Sequence, residues 1–427
     1  MTPAPAPVQS GSAEALLFWA ERRRAEAAAS PRAAEVRTMV AGILARVRRD
    51  GDRALRELAK EIDDRELHEI AFDVPPRSAL TVTEMTPHLA AAARNIERFC
   101  KAQSLSGAKV EDNGLVARVE PIPYETVGVY APGGRASYPS TVLMCCIPAR
   151  VAGVKRIEVC CPKITFTVKE AASIAGATML CSLGGAAAIG AMAFGTESVA
   201  RCEKIVGPGN DWVVEAKRQV RDIVGIDSLA GPSEVVVVAG PGSDPGFVSL
   251  DLIAQLEHGP GGLAALIATD RSFAEDVARR CGELLAESGA PAWMGGALFV
   301  ATARDEGEAV DIADRLAAEH VSVQGHEAWC QRTAPGIRHA GTVFIGSSSA
   351  VAFGDYCAGP SHVLPTGGQA RFSSALSPLD FVRRVQYLEM DPRAASRLAP
   401  VAESLAREEG LALHAESVQA RVKKGGE

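Results

Sequence analysis

Hydrophobic and polar positions follow two textures along this chain. Up to about residue 110 the period is helical. In "PRAAEVRTMVAGILARVRRDGDRALRELAKEID" (31–63) apolar side chains recur at three- and four-residue spacing, and Gly51 interrupts the run, so two helices are expected. "EMTPHLAAAARNIERFCKAQ" reads as another helix. After residue 115 short β-rich runs take over: "GLVARVEPI", "ETVGVYAP", "RIEVCCP", "TMLCSLGG", "KIVGPG", "SEVVVVAG", "LAALIATD", "ALFVATA" and "GTVFIG". Their near-continuous apolar character marks strands buried on both faces. Helical patterns separate several of them, among them "STVLMCCIPARVAGV", "VKEAASIAGA", "GAAAIGAMAFG", "NDWVVEAKRQVRDIV" and "DLIAQLEH". Such alternation predicts parallel sheets covered by helices. Beyond about residue 375 the pattern turns helical again, in "PLDFVRRVQYLEM", "DPRAASRLAPVAESLAREEG" and "LALHAESVQARVKKGG". No internal sequence repeat is visible. A chain of 427 residues exceeds one simple core. The expected fold class is α/β, with two Rossmann-like parallel-sheet domains and N- and C-terminal helical arms.

Composition narrows the function classes. The chain is 47% hydrophobic and 23% charged, as in soluble globular proteins. A net charge of -7 argues against broad nucleic-acid or anionic-membrane binding, since both need a basic face. No uninterrupted apolar run is long enough to span a bilayer. The start, "MTPAPAPVQSGSAEALLFWAERRRAEAAAS", lacks the basic-then-apolar order of a signal peptide, so a cytoplasmic protein is expected. The ten cysteines show no C-x-x-C spacing, and Cys145–Cys146 and Cys160–Cys161 are adjacent pairs in apolar runs. Buried reduced thiols are expected.

Four glycine-rich turns are candidates for ligand cradles: "YAPGGRASYP", "LGGAAAIG", "VGPGN" and "AGPSE". Doubly wound sheets bind ligands at the carboxyl ends of strands, and glycine lets backbone N–H groups approach an anion. None is a G-x-G-x-x-G or Walker A sequence. A polar constellation says more. Gln255 and His258 lie three apart on one helix face, just before Gly259, Pro260 and Gly261. Glu319 stands beside His320. Asp355 and His362 share a Gly/Ser/Pro-rich loop, and Glu409 and His414 sit in the last helices. His68, His88, His326 and His339 lack such settings and read as surface or packing residues. A lone histidine in any one of these places is more often structural. Imidazoles with a carboxylate are nonetheless good zinc ligands. Spacing leaves convergence open, and composition and spacing alone stop at an α/β enzyme with the residue types for a metal site.

These segments together resemble the histidinol dehydrogenase family over roughly residues 35–424. Seven ordered blocks carry the resemblance: "VGVYAPGGRASYPSTVLMCCIPARVAGV", "KIVGPGNDWVVEAKR", "GIDSLAGPSEVVVVA", "DLIAQLEH", "AEHVSV", "GDYCAGPSHVLPTGGQARFSSALSPLDFVRR" and "EGLALHAESVQAR". The resemblance implies one zinc ion per subunit, held by Gln255, His258, Asp355 and His414. The last reaches over from the partner subunit of an intertwined homodimer with shared sites. Glu319 and His320 match the family's catalytic pair. Ser233, His362 and Glu409 match substrate contacts, joined by Gln255, His258, His320, Asp355 and His414. Tyr130 and Asn210 match NAD contacts. The implied reaction is oxidation of L-histidinol to L-histidine through the aldehyde, with two NAD reduced. The implied division is an N-terminal helical arm (1–28), a first α/β domain with most of the zinc site (29–126 and 236–376), a second, NAD-side domain (127–235), and an exchanged C-terminal helical arm (377–427).

The chain departs from the family pattern at Ala187 (usually glutamine), Ser361 (asparagine), Gly259 (aspartate), Trp212 (tyrosine) and Ala412 (often polar). Two other readings stay open. One is a paralogue with the same zinc and NAD machinery acting on another small amino or hydroxy alcohol. The other is an inactive dimeric binding protein. A branch acting on a sulfonated diol carries lysine where this chain has Tyr356, which argues against that substrate. Retention of Ser233, His362 and Glu409 favours the imidazole substrate.

Overall fold

The computed structural model describes residues 8–133, 136–259, 261–287 and 296–424. Pro260 of the expected helix stop, residues 134–135 of the "YAPGGRASYP" turn, and the first seven and last three residues lie outside them. The chain divides into two compact units, residues 1–103 with 125–380, and residues 104–124 with 381–427.

Two six-stranded sheets make up the first unit. From edge to edge the first sheet runs Ala71–Asp73, Met179–Cys181, Arg156–Cys160, Thr126–Tyr130, Lys204–Val206, Gly225–Ile226. The second runs Gln9–Ser12, Ala297–Thr302, Leu263–Ala268, Glu234–Ala239, His320–Gln324, Thr342–Ile345. Setting aside the edge strand contributed from upstream, both sheets place five parallel strands in the spatial order third, second, first, fourth, fifth. The fold is therefore duplicated although no sequence repeat announces it. Parallel ladders are main-chain bonds between apolar runs, and many different Val, Ile, Leu and Ala strings satisfy them.

The strand "EVVVVA" (Glu234–Ala239) shows how alternation builds the layers. Val235 and Val237 point to one core, against Val248, Leu252 and Leu256 of helix Pro245–Leu256. Val236 and Val238 point to the other, against Leu16 of helix Ala13–Ala28 and Ile312 and Leu316 of helix Glu306–Leu316. Each such fully buried valine contributes roughly 1.5–3 kcal/mol.

The helical segments depart from the expected grouping. The helix Pro31–Asp63 bends at Gly51 (φ 53°), as the sequence pattern required. It packs Val36, Val40, Leu44 and Val47 in one core with Ile189 and Met192 of helix Gly185–Phe194, and Ala71–Asp73 pairs with Met179–Cys181 of the first sheet. Most of residues 29–126 thus belongs with residues 127–235, not with 236–376. Residues 9–28 are no free arm: they give the second sheet an edge strand and a covering helix.

The second unit joins strands Ala108–Asp112, Leu115–Pro123 and Val382–Met390 in an antiparallel sheet, followed by helices Pro392–Glu408 and Ala412–Lys424. The two helices are linked by a Gln419 Nε2–Glu403 Oε2 hydrogen bond of 2.8 Å. "PLDFVRRVQYLEM" was expected to be helical. Val382, Val385 and Leu388 do fit a helical stripe, but nine residues of ladder with Leu115–Pro123 make it a strand. The last segment is therefore not purely a helical arm, and "GLVARVEPI" belongs to an antiparallel sheet. All ten cysteines are unpaired thiols and nine are buried. Among the described residues no helix is long and apolar enough to cross a membrane.

Candidate active site

The two sheets present opposite edges to their candidate residues. Three of the four glycine-rich turns follow strands of the first sheet, at its carboxyl edge. There Tyr130 ends the strand Thr126–Tyr130, and "VGPGN" follows Lys204–Val206 next to it, where the strand order reverses. The fourth turn, "AGPSE", precedes a strand of the second sheet. Ser233, Glu319 and His320 gather at that sheet's amino edge, because Glu234 and His320 open neighbouring parallel strands. The candidate turns therefore lie at a carboxyl edge in the first sheet only.

Glu319 and His320 are 7% and 2% exposed. Glu319 accepts hydrogen bonds from the Ser233 hydroxyl and from the Glu234 amide, the latter at 2.9 Å. His320 Nδ1 lies 3.2 Å from the Glu234 carbonyl and 3.6 Å from Glu319 Oε2. A carbonyl only accepts, so Nδ1 carries the proton and Nε2 is the nitrogen available for chemistry. That Nε2 is buried without a hydrogen-bond partner, 3.4 Å from Asp355 Oδ1 in a geometry too poor for a hydrogen bond. The Phe344 ring lies beside the His320 ring, 5.8 Å between centroids.

Asp355 comes from the short helix Val351–Tyr356, and its carbonyl accepts from His362 Nδ1 at 2.7 Å. His362 Nε2 is then the acceptor of the Thr141 hydroxyl at 3.2 Å. Gln255 lies in the last turn of helix Pro245–Leu256, 4% exposed, and its side-chain nitrogen has no partner. His258 lies two residues past the helix end, its amide held by the Gln255 carbonyl at 3.2 Å. Glu257 is exposed. Gly259 adopts φ 105°, a conformation that aspartate would take only under strain, so the glycine at this departure is dictated by the turn.

Electrostatics separates the groups. Burial raises the Glu319 carboxyl above its ordinary value, against the pull of His320 and Ser233. Burial alone would lower His320, but the Glu319 and Asp355 carboxylates outweigh it and raise it. Burial would raise Asp355, but His320 chiefly holds it low. His258 is open to water on one side yet walled by protein on the other. That desolvation lowers it, reinforced by His320 and opposed by Asp355 and Glu257. His362 is lowered chiefly by burial. The neighbouring groups are thus pulled apart: the Asp355 carboxyl and the His258 and His362 imidazoles are shifted down, and the Glu319–His320 pair is shifted up.

Ser233, Glu319, His320, Asp355 and His362 are brought together in direct contact, with His258 close enough to feel the charges of Asp355 and His320. Gln255 stands one helical turn before His258 with an orphaned amide. In the second unit Glu409 and His414 line one cavity of about 530 Å³ with Leu405, Leu411, Leu413 and Val418. At the first sheet the Tyr130 hydroxyl accepts from the Gly185 amide at 3.2 Å, and burial pushes its pKa up to about 12. Asn210 caps helix Asp211–Val220 through the Val213 amide. Among the described residues no three His, Cys, Asp or Glu side chains form a metal cage. The expected set has one histidine and one aspartate in the first unit, with Gln255 as an amide donor.

Thr141, Glu234 and Lys217 were not singled out from the sequence. Thr141 and Glu234 each open an apolar run, and Lys217 falls on the buried helical stripe of Val213, Ala216 and Val220; a polar residue at such a position is the signal that marks them. Lys217 Nζ donates to the Gly207 carbonyl and to Asp227 Oδ1, both at 2.6 Å. Asp227 Oδ2 accepts from the Gly207 amide at 2.7 Å. The ring so closed holds "VGPGN" in place, and Gly207 at φ 112° has no room for a Cβ beneath the Tyr130 carbonyl.

Residues 26–422 match the model of the histidinol dehydrogenase family. Histidinol dehydrogenase of Pseudomonas syringae pv. tomato is 40% identical over 404 residues, covering 91% of this chain and 89% of that protein. The Gluconobacter oxydans protein of the same name is 42% identical over 401 residues, covering 90% and 92%. The crystal structure of histidinol dehydrogenase from Elizabethkingia anophelis superposes with a TM-score of 0.84 at 31% identity, covering 91% of this chain and 93% of that one.

Proposed function

Since this chain belongs to the histidinol dehydrogenase family, we propose that it oxidises L-histidinol to L-histidine through the aldehyde, reducing two NAD. The observation that carries the reading is the buried Glu319–His320 pair, clamped by the main chain of Glu234 and set against Asp355, His362 and the unpaired amide of Gln255.

His320 Nε2 takes the proton of the substrate hydroxyl as the first hydride departs. General-base help of this kind is worth roughly 10²–10⁴-fold. Glu319, with its raised pKa, then takes a proton from the water that adds to the aldehyde carbon, and a second hydride departs to give the acid. Ser233 holds the Glu319 carboxylate in register between the two steps. His362 Nε2, on exchanging the Thr141 hydroxyl for a substrate donor, would accept a hydrogen bond from the substrate, and Glu409 would add a second substrate contact. NAD, when bound at the carboxyl edge of the first sheet near Tyr130 and Asn210, accepts the hydrides.

The residues present fit zinc. The buried Gln255 amide lacks any protein partner, His258 is kept neutral and so retains its lone pair, and Asp355 is kept ionised. Gln255, His258 and Asp355 would hold it, with the partner subunit's His414 completing the set in a homodimer. When bound, zinc would orient the amino alcohol and polarise its oxygen. The test is NADH formation from L-histidinol by zinc-loaded protein at saturating NAD, with and without a chelator. Two NADH per histidinol, lost on chelation, is expected. Absence of turnover would refute the reading, and turnover of a different amino alcohol alone would favour a paralogue.

A further inference from the structure

The helix Ala13–Ala28 is fixed to the second sheet by its apolar face: Leu16, Leu17 and Ala20 are buried in the core there. Near its end it sends Arg24 inward. Arg24 Nη2 donates to both carboxylate oxygens of Glu234, at 2.9 and 3.0 Å, and Nε donates to Oε1 at 3.1 Å. Nη1 donates to the Leu316 carbonyl at 3.0 Å. Such a fork fixes both distance and plane, which a single ammonium could not do. Glu234 is 6% exposed, and its Oε2 also accepts the Gly367 amide at 3.2 Å. Gly368, at φ 82°, lies against the guanidinium: a Cβ there would stand 3.1 Å from Arg24 Nη1.

Both main-chain polar groups of Glu234 touch the candidate acid–base pair. Its amide donates to Glu319, and its carbonyl receives His320 Nδ1. The side chain of Glu234 therefore anchors the backbone that orients Glu319 and His320, and Arg24 anchors that side chain. Through the Gly367 amide the Glu234 carboxylate also touches the 366–368 turn, a few residues along the chain from His362. Arg24 lies before residue 26, where the family match begins.

We propose that Arg24 is a positioning residue for the reaction, acting through Glu234 on Glu319 and His320; this rests on the assignment of that pair as catalytic. The N-terminal helix is then part of the active-site scaffold, although it contributes no group to the chemistry.

The test uses the full-length zinc-loaded protein as wild type, Arg24→Met and Arg24→Lys. It reads kcat and KM for histidinol and NAD, the thermal midpoint, and hydrogen exchange at the Glu234 amide. Arg24→Met is expected to lower kcat by about tenfold or more, since misplacement of a reacting group by on the order of 1 Å is sufficient. KM for NAD should stay within about twofold, because the cofactor lies at the other sheet. Exchange at Glu234 should quicken, and Arg24→Lys should fall between the two, its point charge replacing the fork only in part. A folded Arg24→Met with kcat within about twofold of wild type would overturn the proposal. If Arg24→Met does not fold, Arg24→Lys decides: reduced kcat at an unshifted midpoint supports the role, and unchanged kcat overturns it. If wild type fails to oxidise histidinol, the functional reading falls by itself. Exchange at Glu234 then decides alone: quickening in the folded variant supports the clamp and an unchanged rate overturns it.

Discussion

Lys217→Met opens the ring that shapes "VGPGN". Lys217 and Asp227 are 3% and 6% exposed at their side chains, and Lys217 gives one hydrogen bond to Asp227 and one to the Gly207 carbonyl. Methionine keeps the length and the apolar stem but supplies no donor. It leaves a buried carboxylate with only the Gly207 amide for support, and a carbonyl without its lysine. Removing one partner of a buried pair costs about 3–5 kcal/mol, and the lost carbonyl bond is part of that sum, not an addition to it. At about 2.1 cal/mol/K of unfolding entropy per residue, a unit of this size moves its midpoint by about 1–2 °C per kcal/mol, so a fall of roughly 3–10 °C is expected. Scanning calorimetry gives that fall. Steady-state kinetics gives the second expectation, a raised KM for NAD with KM for histidinol little changed. The double variant Lys217→Met/Asp227→Asn removes the stranded charge and should recover part of the midpoint. A single variant melting within about 2 °C of wild type would refute the claimed cost of the broken pair. A lowered midpoint with unchanged KM for NAD would refute the claim that the ring shapes the cofactor cradle.

Three further outcomes are expected. Gln255→Ala should lower zinc affinity by about tenfold or more, read by competition with a chromogenic chelator, if Gln255 is one of the four proposed donors; unchanged affinity would remove Gln255 from the proposed set. His414→Ala and His320→Ala proteins, each inactive, should regain activity when mixed under conditions of subunit exchange, and absence of rescue would refute shared sites. Acid stability should depend on Asp314. Burial would raise its carboxyl, but the Arg338 and His339 amides and the His339 ring outweigh that and hold it low. A depressed folded pKa contributes stability above the unfolded value of about 3.9 and loses it as pH falls through the folded value. The midpoint difference between wild type and Asp314→Asn should therefore be full at neutral pH and shrink below about pH 4. A difference independent of pH would contradict the linkage.

What could be read in the sequence follows from range. "EVVVVA" and "LAALIA" declare themselves as doubly covered strands, and the Gly51 bend is written in one residue. Gln255 and His258, one turn apart, stand out as a local polar pair for the same reason. Asp355 reaches His320 only because the fold returns the short helix Val351–Tyr356 to the amino edge of a strand, and no local period encodes that. Val382–Met390 went the other way. Its apolar spacing suits a helix, and the pairing that overrides it lies far along the chain. Resemblance supplied the long-range partners, but not Arg24, which sits before the matched region, nor the Glu234 main chain, whose identity no motif records.

The pairing of Leu115–Pro123 with Val382–Met390 also sets a schedule for synthesis. Residues 124–381 must be made between the two strands. At roughly 5–20 residues per second, on the order of tens of seconds pass while one edge of Leu115–Pro123 waits with only Ala108–Asp112 beside it. Both sheets of the other unit can close during that interval, since all their strands precede residue 346. Through that interval the nascent chain carries both sheets of its largest unit and one strand still open to any partner that comes by. A message cut short before residue 382 would release that open edge for good.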